Sequence, residues 1–143
     1  MKNNYTLEQI ENFLTCVDCD FPMPLHEKVN LSSFSLKLYK NADIFVEIDN
    51  DEIIGMVAGY IKNAEDNVSY ISIVAIKRDY RGKSIATKLL KEYFHECKLL
   101  NINKIHLYTS KTNINAILLY KKIGFIESID INRPDDIHFI LNR

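Results

Sequence analysis

Val74-Ala75-Ile76-Lys77-Arg78-Asp79-Tyr80-Arg81-Gly82-Lys83-Ser84-Ile85-Ala86 is the stretch whose reading decides the fold. Its first residues close an apolar run from Val68 to Ile76, rich in β-branched residues, which reads as a central strand covered on both faces. After Arg81-Gly82 the period changes. Ala86, Leu89, Leu90, Tyr93, Cys97 and Leu100 recur at helical spacing, which predicts a long amphipathic helix. A buried strand thus runs through a tight loop into a helix. The first turn of a helix carries unpaired N–H groups and a partial positive charge. Small residues let an anion approach that backbone, and Gly82, Ser84 and Ala86 are small and alternate. The segment predicts an anion site suited to a pyrophosphate. The plainer reading is a capped helix with solvated basic residues, but Lys77, Arg78, Arg81 and Lys83 crowd a helix end that disfavours cations.

Outward from this segment, Thr6 with Gln9 reads as a capping box opening a helix through about Val17, stopped by Phe21-Pro22-Met23-Pro24. A second helix is expected from about Leu25 to Tyr39. Ile44, Val46 and Ile48 alternate as a strand, Asp49-Asn50-Asp51-Glu52 turns, and Ile53 to Ile61 forms the next strand. Asn63 to Asn67 turns again. Beyond the long helix come a strand at Lys104 to Thr109, a helix from Asn113 to about Lys122 ended by Gly124, and strands at Phe125 to Ile131 and Ile137 to Leu141. The order predicts an α/β (α+β) fold with a mixed sheet and helices on its faces, in one domain over residues 1–143.

The chain has 143 residues, of which 47% are hydrophobic and 26% charged, proportions that exclude disorder. Its formal net charge is −1, without the basic excess of a nucleic-acid binder, so no nucleic-acid partner is expected. No apolar leader opens it, and its longest apolar run falls short of the roughly 20 residues of a membrane span, so a cytoplasmic protein with no membrane partner is expected. Cys16, Cys19 and Cys97 are read as reduced thiols. Cys16-Val17-Asp18-Cys19 has half the spacing of a zinc site and His26 follows, but a structural zinc needs four ligands and no metal is expected.

Two motifs together point to a family. The first resembles motif A of the GNAT acetyltransferase superfamily, Arg/Gln-x-x-Gly-x-Gly/Ala, with Arg81 and Ala86 at its ends and Ser84 where glycine is usual. Serine fits that position if its φ is negative, and costs about 1 kcal/mol or more if it is positive. The second, Asn113-Ile114-Asn115-Ala116-Ile117-Leu118-Leu119-Tyr120-Lys121-Lys122-Ile123-Gly124-Phe125, resembles motif B, Asn-x-x-Ala-x-x-Leu-Tyr-x-Lys-x-Gly-Phe, at every position. The resemblance covers about Ile53 to Ile131. The family usually begins with a strand, for which there is little room before Thr6.

The resemblance implies a mostly antiparallel sheet and acetyl-CoA as co-substrate. Backbone groups of Val74 and Ile76 would hold the pantetheine arm. Arg81, Gly82, Lys83, Ser84, Ile85, Ala86 and Thr87 would hold the pyrophosphate, with Asn113 as a further cofactor contact. Tyr120 would protonate the departing thiolate. Val74 N–H would stabilise the oxyanion as the amine attacks directly, without a cysteine nucleophile. The acceptor implied is a primary amine, in the first place a small molecule; a protein N-terminus or lysine and a non-catalytic acyl-CoA-binding module are the alternatives. Deprotonating a lysine-like amine at pH 7 costs about 4.6 kcal/mol and an α-amine only about 1 kcal/mol, so the acceptor decides how strong a base is needed. Glu47, Tyr70, Ser72 and His138 are strand candidates for that base. Asp18, Asp20, Glu27 and Phe21 to Pro24 are candidates for the acceptor site. An edge strand allows a monomer or a homodimer. A nucleotide-binding P-loop is excluded, because no Gly-x-x-x-x-Gly-Lys-Ser/Thr occurs.

Overall fold

The computed structural model describes residues 5–142. The family's usual leading strand would fall on residues 1–4, outside the described residues. Helix α1 (Leu7–Val17) opens on the expected capping box, with Thr6 and Gln9 bonding each other's backbone. A single 3₁₀ turn, Asp18–Asp20, follows. The expected helix from Leu25 to Tyr39 is two helices, α2 (Leu25–Lys28) and α3 (Leu31–Asn41). Val29 is extended, and Asn30 restarts the helix by accepting a hydrogen bond from the Ser33 N–H, an N-cap whose local preference overrides the helical period.

Strands β1 (Asp43–Asp49), β2 (Glu52–Glu65) and β3 (Val68–Ile76) form a meander. Its two-residue turns fall on Asn50-Asp51 and Asp66-Asn67, all four at positive φ, the geometry that matches strand twist. Helix α4 (Ile85–Leu99), β4 (Lys104–Ser110), α5 (Ile114–Ile123), β5 (Ile126–Ser128) and β6 (Asp136–Asn142) complete the chain. Along the predicted stripe of α4, Leu89, Leu90, Tyr93 and Cys97 are buried, but Leu100 lies beyond the helix end and is exposed. The strand expected from Phe125 to Ile131 stops at Ser128. There Asp130 turns the chain by accepting from the Asn132 N–H and the Tyr108 hydroxyl, and Ile129 and Ile131 point to solvent.

Among the described residues the six strands make one sheet in the order β1-β2-β3-β4-β6-β5, antiparallel throughout except for β3 beside β4. Helices α1 and α3 cover one face of β1 and β2, over Ile10, Phe13, Leu14, Met56, Ala58 and Ile73. Helix α4 covers the other, over Val57, Ile71, Leu89, Leu90 and Tyr93. No described helix is long and apolar enough to cross a membrane.

Two irregularities open this sheet. Ala58 faces Ile73 but Gly59 faces Ile71, so Ser72 is an extra residue in β3, a bulge that turns Ile71 towards α4 and Ile73 towards α1. Beyond it, β3 and β4 part. Their parallel pairing covers only Val68, Ser69 and Tyr70 against Lys104, Ile105 and His106. The rest of each strand diverges, leaving a wedge in the middle of the sheet.

Candidate active site

The wedge is a cleft of about 590 Å³, with Tyr70, Ser72 and Val74 on one side and Tyr108, Ser110 and Asn113 on the other. Backbone alternation sets what β3 presents to it. Lys77 donates its N–H to the Ile54 carbonyl on β2, so the groups of Val74 and Ile76 turn to the opposite edge, where β4 no longer pairs with them. The Ile76 carbonyl is taken by Arg81 Nε at 3.0 Å. The Ile76 N–H and both groups of Val74 have no hydrogen-bond partner among the described residues.

At the end of β3 the chain passes through a 3₁₀ turn (Arg78–Tyr80) into the loop before α4. Gly82 has φ 78° and Ser84 φ 63°. Gly82 has no described atom within 4 Å of where a Cβ would stand, so its requirement is the positive φ. Ser84 caps α4 by position but makes no side-chain cap, and the first backbone bond of the helix runs from Lys88 N–H to Ser84 O. The N–H groups of residues 82–87 therefore have no hydrogen-bond partner among the described residues. Six such donors, in a loop with positive φ at Gly82 and Ser84 that leads into a helix N-terminus, make a concavity of the kind that suits an anion. Gly55 lets this end of α4 sit close on β2, since a Cβ there would meet Ile76 Cδ1 at 2.8 Å and Ile85 Cγ2 at 3.0 Å.

The basic cluster of this segment is largely structural. Lys77 pairs with Glu52, and Arg78 and Arg81 both pair with Asp20. Lys83 has no acidic partner among the described residues and lies 5.6 Å over the Tyr80 ring. The crowding that marked the loop in the sequence thus comes mainly from ties between the loop and the turn after α1.

Tyr120 lines the cleft from α5, packed edge-on against Phe125 at 5.7 Å and tilted against Phe139 at 5.6 Å. Burial raises its phenol above the ordinary tyrosine range, so it stays protonated at neutral pH. Asn113 caps α5 through the Ala116 N–H, and Gly124, at φ 121°, ends it. Val74, Asn113 and Tyr120 share the cleft lining. Ile76 and Arg81 to Thr87 continue from the end of β3 and lie outside that lining.

The base candidates separate. Tyr70 and Ser72 line the cleft. Glu47 does not, and is held by Lys88 at 2.7 Å. His138 lies behind the lining, stacked on Tyr108 at 4.5 Å and bonded to His106 at 3.0 Å. Burial holds both imidazoles below the usual histidine range. Of the acceptor-site candidates, Phe21, Pro22 and Met23 line the cleft, whereas Asp18 bonds His26 and Asp20 bonds the two arginines. Cys97 is buried, and Cys16 and Cys19 are exposed away from the cleft. Among the described residues no group of three or more His, Cys, Asp or Glu side chains could hold a metal ion.

Sequence reasoning missed Tyr108 and Arg133. The Arg133 guanidinium lies 3.7 Å over the Tyr108 ring and pairs with Asp136, all three on the cleft. The signal was present in β4, where Ile105 and Leu107 alternate with His106 and Tyr108, an aromatic polar face.

The split sheet thus carries a run of N–H groups without partners among the described residues at the end of one strand and a buried phenol in the split. The acetyltransferase (GNAT) family model matches residues 10–125, and the chain belongs to that family. It is similar to N-alpha-acetyltransferase 30 of Schizosaccharomyces pombe, 35% identical over 57% of this chain and 55% of that one. It is also similar to L-2,4-diaminobutyric acid acetyltransferase of Vibrio parahaemolyticus, 29% identical over 59% of this chain and 46% of that one. The chain thus matches about half the length of these relatives. The structure of PaiA N-acetyltransferase from Thermoplasma acidophilum in complex with coenzyme A superposes with a TM-score of 0.77 at 18% identity, covering 99% of this chain and 97% of that one, a likeness of fold.

Proposed function

We propose that this chain is an N-acetyltransferase that moves an acetyl group from acetyl-CoA to a primary amine by direct attack. The observation that carries this reading is the run of unpartnered N–H groups at residues 82–87, placed at the end of the strand whose free edge faces Tyr120. The residues present fit acetyl-CoA: open space at Gly82 for a phosphate, free backbone groups on Val74 and Ile76 for an amide-bearing arm, and a cleft beyond them. When bound, acetyl-CoA supplies an acetyl thioester already activated towards an amine.

The chain supplies the rest. Gly82 to Thr87 neutralise the diphosphate with N–H donors, and Lys83 adds the one nearby cation without an acidic partner among the described residues. Arg81 acts through its backbone and as a strut, since its guanidinium is committed to Asp20 and the Ile76 carbonyl. Val74 N–H, on the cleft, would donate to the acyl oxygen, where negative charge grows during attack. Tyr120 holds a proton on Oη at neutral pH, as a phenol with a pKa at or above the ordinary value does, and would pass it to the leaving sulfur.

Thiol release from acetyl-CoA against a panel of amines tests this reading. Turnover on at least one amine is expected, with kcat lowered about a hundredfold in Tyr120→Phe and acetyl-CoA affinity retained. Tight acetyl-CoA binding without turnover on any amine would replace the enzyme with a binding module.

A further inference from the structure

The two walls of the cleft differ in chemistry, and the difference speaks to the acceptor. One wall comes from the segment between α1 and α3 and from the first turn of α3: Phe21, Met23, Leu25, Val29 and Phe34. It is apolar, and Met23 and Val29 remain 49% and 38% exposed. Such groups at the mouth of an otherwise packed site gain from being covered. The facing wall is Tyr70, Ser72 and Tyr108 from the sheet. The charged residues of the lining balance, Lys28 and Arg133 against Asp135 and Asp136, and Arg133 and Asp136 already neutralise each other. Nothing in that set favours a polycation, which requires an excess of carboxylates.

The available bases point the same way. Glu47 is tied to Lys88, and Asp136 to Arg133. Asp135 is the one lining carboxylate outside an ion pair among the described residues, and the strand side chains on the cleft are the Tyr70 and Tyr108 phenols and the Ser72 hydroxyl, backed by two imidazoles that burial makes poor proton acceptors. A weak set of bases suits an amine that is already partly neutral. At pH 7 about one in seven α-amino groups is unprotonated, against about one in 2,500 lysine-type amines.

We infer that the acceptor is a free α-amino group whose own side chain is large and apolar, with that side chain seated against Phe21, Met23 and Val29 and the amine directed towards Tyr70 and Val74. This rests on the acetyltransferase reading above and names its substrate class. The α-amine can belong to a peptide N-terminus or to a free amino acid, and the test separates the two.

The experiment measures kcat/KM for thiol release at pH 7 with hexapeptides that begin with methionine, phenylalanine, serine or glycine and are otherwise identical and lysine-free. Methioninamide, free methionine, spermidine and Nα-acetyl-lysine amide complete the panel. Methionine- or phenylalanine-first peptides are expected to exceed serine- and glycine-first peptides by about 10- to 100-fold, and spermidine and the lysine side chain by more. Met23→Ser, a change at a half-exposed loop position, is expected to shrink the methionine-over-glycine ratio several-fold. Activity on methioninamide and free methionine equal to that on the peptides supports the inference and assigns the acceptor to single amino acids; activity on peptides alone supports it and assigns the acceptor to chain termini. Faster turnover of spermidine or the lysine side chain overturns the inference while leaving the acetyltransferase intact. Equal rates for methionine-first and glycine-first peptides overturn the apolar seat. Acetyl-CoA binding with no turnover on any amine overturns both readings.

Discussion

Ser84 sits at φ 63° in the loop that presents the free N–H groups, in a backbone region that an L-residue occupies at a cost of about 1–2 kcal/mol. Its side chain makes no cap that would offset the strain. Ser84→Gly is therefore expected to stabilise the protein by about 0.5–1 kcal/mol, the relief of strain outweighing the added freedom of the unfolded chain. The urea midpoint at unchanged m-value reads this directly; an unchanged or lower midpoint would show that the serine is not strained. The sequence poses the alternative at this position, because a serine stands where a glycine is usual. Only the backbone geometry of the folded chain resolves it. Arg81 carries the converse lesson. Its charge looked available for phosphate, but Asp20 lies 61 residues earlier in the chain, and nothing local shows that the two meet.

At the scale of elements, a buried polar junction lies where β3 and β4 part. Tyr93 of α4 and Ser69 of β3 share a hydrogen bond of 2.6 Å, and Tyr93 also reaches the Tyr70 carbonyl at 3.4 Å, beside the last paired residues before the strands part. Gly59 leaves room for this phenol: a Cβ there would stand 2.2 Å from Tyr93 Oη and 2.4 Å from the Tyr70 carbonyl oxygen. Gly59→Ala is expected to cost about 3 kcal/mol, because backbone and a buried ring must both shift. Chemical denaturation measures it, and a loss below about 1 kcal/mol would mean that the junction is compliant. Element types were legible throughout, since the changes from helical to alternating period mark them. Their interruptions were less so. Asn30 splits one expected helix and Asp130 ends one expected strand, each by a side-chain hydrogen bond that outcompetes the pattern.

Across the whole molecule, two buried phenols couple stability to alkaline pH. Burial raises the pKa of both Tyr93 and Tyr120 above the unfolded value near 10. Below pH 10 both are neutral in either state and their contribution is fully present. Above it the unfolded chain ionises first, and stability falls by about 1.4 kcal/mol per pH unit for each. Denaturation curves between pH 9 and 11 are expected to show this decline, and Tyr120→Phe to remove its share of the slope. Ligand linkage acts on the same scale. Acetyl-CoA at about a hundred times its Kd is expected to add about 2.7 kcal/mol, a rise in Tm on the order of 5–10 °C by scanning calorimetry. No shift at saturating acetyl-CoA would remove the basis of the proposed function.

Taken by itself, the sequence determined the mixed fold, the strand–loop–helix with its glycine at positive φ and the place of Tyr120 on a helix, because each depends on local period, small residues and caps within about a dozen neighbours. The tertiary structure alone decided the bulge at Ser72, the parting of β3 and β4, the use of Arg78 and Arg81 as partners of Asp20, and the facing of an apolar wall from residues 21–34 by Tyr70 and Tyr108. These depend on register and on contacts between segments far apart in the chain. No local pattern encodes them, since a one-residue slip in β3 leaves its composition unchanged while reversing which side chains and backbone groups meet the cleft.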